Sequence, residues 1–176
     1  MNALEPVLQS ACAPSDSISH TLHPGDVVCA DRGERMDTLL GSCVAIILTD
    51  PRRTVGAMCH IVHSGPTTRR VEPVFRNERR VGDAVHAEVA LAAMYRLLNA
   101  RGIDPRQCEA YVFGGGNLFP GLVTESHVGE VNSRWAIEVL AGEGIVVLDS
   151  DLGGRAYRKL SWVVGAQQPN VITVPV

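Results

Sequence analysis

Residues 44–62, VAIILTDPRRTVGAMCHIV, decide the architecture. Val44–Thr49 is an unbroken apolar, β-branched run closed by Asp50-Pro51, which is too short for a free-standing helix and has no polar face, so it reads as a strand buried on both sides. Val55–Val62 follows as its hairpin partner, with Asp50-Pro51-Arg52-Arg53 as the turn. Centring the pairing on residues 50–53 sets Cys43 opposite His60.

Upstream, Asp26–Ala30 reads as a further strand and residues 31–35 as a polar connection. Residues 1–20 read as a flexible leader without chemistry, which leaves a single domain over residues 21–176. Downstream, SGPTTRRVEPVFRNERRVG (residues 64–82) holds five Arg and two Pro with little apolar pattern and reads as a mobile loop. Val85, Val89, Ala92, Ala93 and Leu97 recur at helical spacing, with Asp83 as N-cap and Gly102 as stop. Cys108–Phe113 is a strand ending at Gly114-Gly115-Gly116. A second helix spans residues 133–141, capped by Asn132 or Ser133. Strands follow at 145–148, 155–164 and 171–174, the first two joined by Asp151-Leu152-Gly153-Gly154. Seven strands to two helices predict an α/β (α+β) domain of mixed β-sheets packed together and flanked by helices.

The composition fits such a domain: 176 residues, 45% hydrophobic and 20% charged. A net charge of −3 supplies no global field for nucleic acid or anionic lipid. Five cysteines without a CxxC argue for reduced thiols in a cytoplasmic setting rather than a disulfide scaffold. No run approaches the roughly 20 apolar residues of a membrane span, and Ala11-Cys12-Ala13 lacks the flanks of an export signal.

Chemistry is concentrated at Thr38-Leu39-Leu40-Gly41-Ser42-Cys43. A cysteine after a tight Gly-Ser bend, with a histidine on the paired strand, has the parts of an activated nucleophile, because a free thiol needs a base or a cation to become thiolate at neutral pH. Cys43 is therefore either a nucleophile or small buried filling. Cys29, Cys59 and Cys108 read as core, and Cys12 as incidental. Zinc is disfavoured: His60 and His63 face opposite sides, and no second spaced pair completes a ligand set. Gly114-Gly115-Gly116 matches no nucleotide loop; it either turns the chain or walls a groove with N–H donors for an oxyanion.

Leu40-Gly41-Ser42-Cys43-Val44, Gly56-Ala57-Met58-Cys59-His60, Val112-Phe113-Gly114-Gly115, Val128-Gly129 with Asn132, and Asp151–Gly154 with Arg158-Lys159 occur in the order and spacing of the CheD family. The chain resembles these chemoreceptor glutamine deamidases over residues 20–175. The resemblance implies a fold similar to bacterial toxin deamidases and a cytoplasmic cysteine hydrolase that converts glutamine side chains of methyl-accepting chemotaxis receptors to glutamate through a thioester, without metal or cofactor. It implies Cys43 and His60 as catalytic residues and a threonine as the third. Thr38 is the candidate, with Asp37 as the alternative, since some members place the threonine six residues before the cysteine. Gly41, Ser42, Gly114 and Gly115 form the expected substrate and oxyanion region. Some members also bind the phosphatase CheC, and a non-catalytic adaptor for receptors or CheC is the competing reading. Arg69, Arg70, Arg76, Arg79 and Arg80 either attract acidic receptor surface or form a solvated loop.

Overall fold

The computed structural model describes residues 17–66, 72–119, 121 and 127–176. Among these, eleven strands form two sheets packed face to face, and two helices cover the outer face of the larger sheet. The chain runs β1 (Ser19–Thr21), β2 (Val27–Asp31), β3 (Arg35–Leu40), β4 (Val44–Thr49), β5 (Val55–Ile61), β6 (Val74–Phe75) and β7 (Arg80–Gly82). It continues through α1 (Ala87–Asn99), a single 3-10 turn at Pro105–Gln107, β8 (Glu109–Gly114), α2 (Val128–Gly142), β9 (Val146–Leu152), β10 (Ala156–Val163) and β11 (Asn170–Pro175). The small sheet has the order β1-β3-β10-β11 and the large one β6-β7-β2-β5-β4-β8-β9, with the parallel β8–β9 pair joined across α2. The expected α+β architecture of mixed, packed sheets flanked by helices is the observed one.

The 44–62 hairpin is central because alternate residues of each strand feed two different cores. Val44, Ile46, Leu48, Ala57, Cys59 and Ile61 face α1 and α2. Ala45, Ile47 and Met58 face the small sheet, where they meet Met36, Leu40, Leu160 and Trp162. That double burial is why the strands carry no polar face. Cys29 and Cys108 join Cys59 in the helix-side core, as expected.

Several boundaries differ from the sequence reading. The hairpin register sets Ala45 opposite His60, two residues from the expected pairing. The cause is Asp50, whose carboxylate accepts the N–H groups of Thr54 and Val55 at 2.8 and 2.9 Å and holds a wider loop than a turn over 50–53. A slip of two keeps every side chain on its face. β3 begins at Arg35, within the expected connection, and β1 pairs with it from inside the expected leader. Residues 72–82, expected as loop, contain the β6–β7 pair. Helix α1 starts at Ala87 with His86 as N-cap, and Asp83, the expected cap, lies outside it at φ 59°. Helix α2 starts five residues before expectation with His127 as its cap, so Asn132 and Ser133 are interior. Asp151 and Leu152 belong to β9 rather than to a connection. None of the described helices is long and apolar enough to cross a membrane.

Gly56 lies against the Trp162 ring, and a β-carbon there would overlap Trp162 and crowd Val164 at 3.1 Å. Gly56→Ala should lower the unfolding free energy by about 1–3 kcal/mol, the usual range for overpacking a core. Urea melts check this; an unchanged midpoint contradicts the packing.

Candidate active site

The β3 sequence RMDTLL alternates outward and inward, so Met36, Thr38 and Leu40 are buried while Arg35 and Leu39 are exposed. Thr38 thus points between the sheets. His60 enters the same space from β5, is 3% exposed, and sits on the face opposite Cys59. Thr38 Oγ1 lies 2.9 Å from His60 Nδ1 and 2.9 Å from the Leu22 carbonyl oxygen. A carbonyl only accepts, so the single hydroxyl proton goes to Leu22, and Thr38 Oγ1 must accept from His60 Nδ1–H. The imidazole is thereby fixed in the Nδ1–H tautomer, and among the described residues Nε2 has no hydrogen-bond partner. Asp37, the alternative third residue, instead accepts from Arg35 Nε at 2.9 Å and Ser19 Oγ at 3.1 Å on the outer side of the sheet.

Cys43 stands one residue before β4 and two before Ala45, the cross-strand neighbour of His60. By the period of two it shares the face of Ala45 and His60, diagonally across the pair. It is half-buried and packs against the inter-sheet core. Gly115 N–H donates to the Cys43 carbonyl and Gly116 N–H to that of Gly41, both at 2.8 Å. A β-carbon on Gly114, at φ 118°, would overlap the Cys43 carbonyl, and one on Gly115, at φ 67°, would overlap Ser133 Oγ. The glycines therefore let the backbone close around the bend. Of the two readings of the triple glycine, the Gly115 N–H fits the turn, since that donor is spent on Cys43.

Asn132 is a further member of the site. Its Nδ2 donates to the carbonyls of Val62 at 2.9 Å and Ser42 at 3.3 Å, tying helix α2 to the end of β5 and to the residue before Cys43. An asparagine inside a helix, where it is a poor former, is the signal that could have marked it. The Leu22 carbonyl had no such signal, because any residue supplies one. Arg158 is buried beneath the bend and donates to Asp151 Oδ1 and the Gly153 carbonyl, both at 2.8 Å.

Electrostatically, the pair is neutral. Burial pushes the His60 pKa down to about 4; the Asp26 charge opposes the shift and His23 adds to it. Burial also raises the Cys43 thiol above its ordinary value. The thiol is therefore not acidified, contrary to the expectation of an activated thiolate, and burial is the cause. Cys29 is pushed up to about 11, and Cys59 and Cys108 to about 12, chiefly by burial. The arginine cluster is partly committed: Arg79 pairs with Glu34 and Asp31, and Arg80 with Asp26. Arg69 and Arg70 lie outside the described residues. Among the described residues, no group of three or more His, Cys, Asp or Glu gathers to hold a metal ion. The His63 and His86 rings lie 5.9 Å apart on the helix side of the sheet.

A family model described as CheD chemotactic sensory transduction matches residues 72–170. That segment begins beyond Cys43 and His60, so it contributes Asn132 and the Gly114 turn but neither of those two. A protein described as a probable chemoreceptor glutamine deamidase, CheD 2, from Albidiferax ferrireducens is 36% identical over 141 residues, which is 79% of this chain and 78% of that one. One described as a probable chemoreceptor glutamine deamidase, CheD, from Pseudomonas savastanoi is 33% identical over 142 residues, 79% of this chain and 75% of its own. A CheD 2 of the same description from Geobacter sulfurreducens is 32% identical over 140 residues, 79% of each.

Two measurements test these electrostatics. His60 binds a proton more readily unfolded, near 6.5, than folded, near 4, so its contribution to stability is complete above about pH 6.5 and is lost as pH falls through that window. At about 1.4 kcal/mol per unit this amounts to ~3 kcal/mol, and His60→Gln should remove that component from urea melts at pH 7 and 4.5. In a Cys12→Ser background, iodoacetamide should modify Cys43 before the buried Cys29, Cys59 and Cys108, at a rate still climbing above about pH 8.5. A rate that has levelled off by pH 7 contradicts the raised thiol.

Proposed function

The chain belongs to the CheD family, and from that premise we propose that it is a chemoreceptor glutamine deamidase in which Cys43, His60 and Thr38 carry the reaction. It is an enzyme of the protein-glutamine glutaminase class, and its substrates are glutamine side chains of methyl-accepting chemotaxis receptors. The single observation that supports these residue roles best is the Leu22–Thr38–His60 chain, which orients the imidazole and leaves Nε2 as its only free base.

As the Cys43 sulfur attacks the amide carbon, its proton passes to His60 Nε2. A neutral thiol and a neutral imidazole at pH 7 make this transfer part of the attack rather than a step before it. The oxyanion takes hydrogen bonds from backbone N–H groups at the Gly41-Ser42-Cys43 bend; among the described residues those of Ser42 and Cys43 are not taken by a backbone carbonyl. The C–N bond breaks as the imidazolium returns its proton to the departing nitrogen, releasing ammonia and leaving a thioester on Cys43. Water, deprotonated by Nε2, then attacks the thioester; the carboxylate leaves and the thiol is restored. One amide and one water become one carboxylic acid and one ammonia. Thr38 acts through His60 and is a positioning residue, and Asn132 holds the bend in which Cys43 sits.

Mass spectrometry of receptor peptides tests the proposal: deamidation adds about one dalton at glutamine, set by the exchange of an amide for an acid. Cleaved peptides would indicate a thiol protease, and unchanged ones an adaptor for receptors or CheC. Cys43→Ala and His60→Ala should abolish the gain. Thr38→Ala should cost on the order of 10²-fold in kcat, with partial recovery in Thr38→Ser, whereas Asp37→Asn should change it less than about twofold. The acid limb of kcat/KM should fall as pH drops through about 4, the folded value of His60. Retained activity in His60→Ala overturns the base assignment.

A further inference from the structure

The outer face of the small sheet is the side that no helix of the described chain covers. The register arranges it in rows. Tyr157 lies beside Val174 on β11, with Gly41 just past the end of β3 on its other side; in the next row Leu39, Lys159 and Ile172 lie abreast, followed by Asp37, Ser161 and Asn170. Leu39, Ile172 and Val174 are 56, 54 and 40% exposed. With Tyr157 they make a contiguous apolar patch of roughly 300 Å², the size that on a monomer is often functional. The patch ends beside the bend that carries Cys43, on the face of the small sheet opposite Thr38. A β-carbon on Gly41, two residues from Cys43, would crowd the Tyr157 ring at 3.4 Å and overlap Leu118 at 2.8 Å.

We propose that this face is the docking surface for the helical receptor segment that carries the reactive glutamine. This rests on the deamidase reading above. A helix laid across the strands advances about 5.4 Å per turn, close to the ~4.8 Å between strands, so one apolar side chain per turn falls over β3, β10 and β11 in succession. The partner is an amphipathic helix with apolar residues at i, i+3 or i+4 and i+7, beginning a turn or so from the glutamine, and an acidic residue set against Lys159. The Asp37–Arg35 pair neutralises itself, so Lys159 is the charge facing the partner. A stable homodimer needs about 800 Å² from each copy; the patch falls well short of that and suits a substrate that must dissociate after each turnover.

The test compares kcat and KM on a folded receptor fragment and on a short glutamine peptide for the full chain, Leu39→Asp and Ile172→Asp, with the thermal midpoint as folding control. Each substitution should raise KM for the fragment about tenfold, as loss of an interface anchor does, with a loss on the peptide of no more than about twofold. Equal losses on both substrates, or less than about twofold on the fragment, overturn the proposal. If the unsubstituted chain turns over neither substrate, the deamidase reading fails by itself, and fluorescence anisotropy of the fragment on Cys43→Ala, with and without Leu39→Asp, still decides the docking: about tenfold weaker binding supports it and equal binding overturns it. A dimer in sedimentation that Leu39→Asp splits gives the face to a second copy and overturns the proposal. Destabilisation on removing residues 1–16 that Leu39→Asp reproduces without adding to it gives the face to that segment, with the same consequence.

Discussion

A threonine hydroxyl has one proton, and at Thr38 its destination is fixed. The Leu22 carbonyl can only accept, so Thr38 can offer His60 nothing but a lone pair, and the imidazole must present its own N–H. The direction of the whole site follows from that. A carboxylate in the same place would also fix the tautomer, but it would stabilise the charged ring and raise its pKa. The neutral oxygen adds no such charge, and burial outweighs the opposing Asp26 charge to hold the histidine near 4. As the proposed base, such a ring would be weak in equilibrium terms yet deprotonated at neutral pH, and ready to return a proton to a departing amine.

Around this chain the fold converges on one end of the large sheet. Helix α2 presses its first turn against glycines that have no room for side chains, and Asn132 reaches from that helix to the residue before Cys43. Arg158 braces the Gly153 turn from below. The bend carrying the sulfur is thus held from the helix layer and from both sheets, the rigidity that the proposed nucleophile would require.

What the sequence disclosed follows from where physical constraint is local. An apolar run such as Val44–Thr49 leaves few options, and it was read with its observed ends. The hairpin brought Cys43 and His60 to one face because parity survives a slip of two, even though the wider Asp50 loop moved the pairing. Strand β3 has no counterpart in the sequence reading, although its alternation is plain in RMDTLL, so Thr38 is a candidate there without a geometry. The start of α2 was missed because Val128 and Gly129 carry no capping side chain of the usual kind, the cap being His127. The thiol's acidity was misjudged for a different reason: burial depends on the second sheet, which no reading of the hairpin includes.

That second sheet has one more consequence. Thr38 belongs to the four-stranded layer and His60 to the seven-stranded one, so the bond between them bridges the seam of the sandwich. The imidazole is oriented by a partner that arrives only when the layers are fully closed. If His60 is the base, as proposed, a chain with every strand paired but its two leaves slightly parted would keep its secondary structure and lose the orientation of that ring.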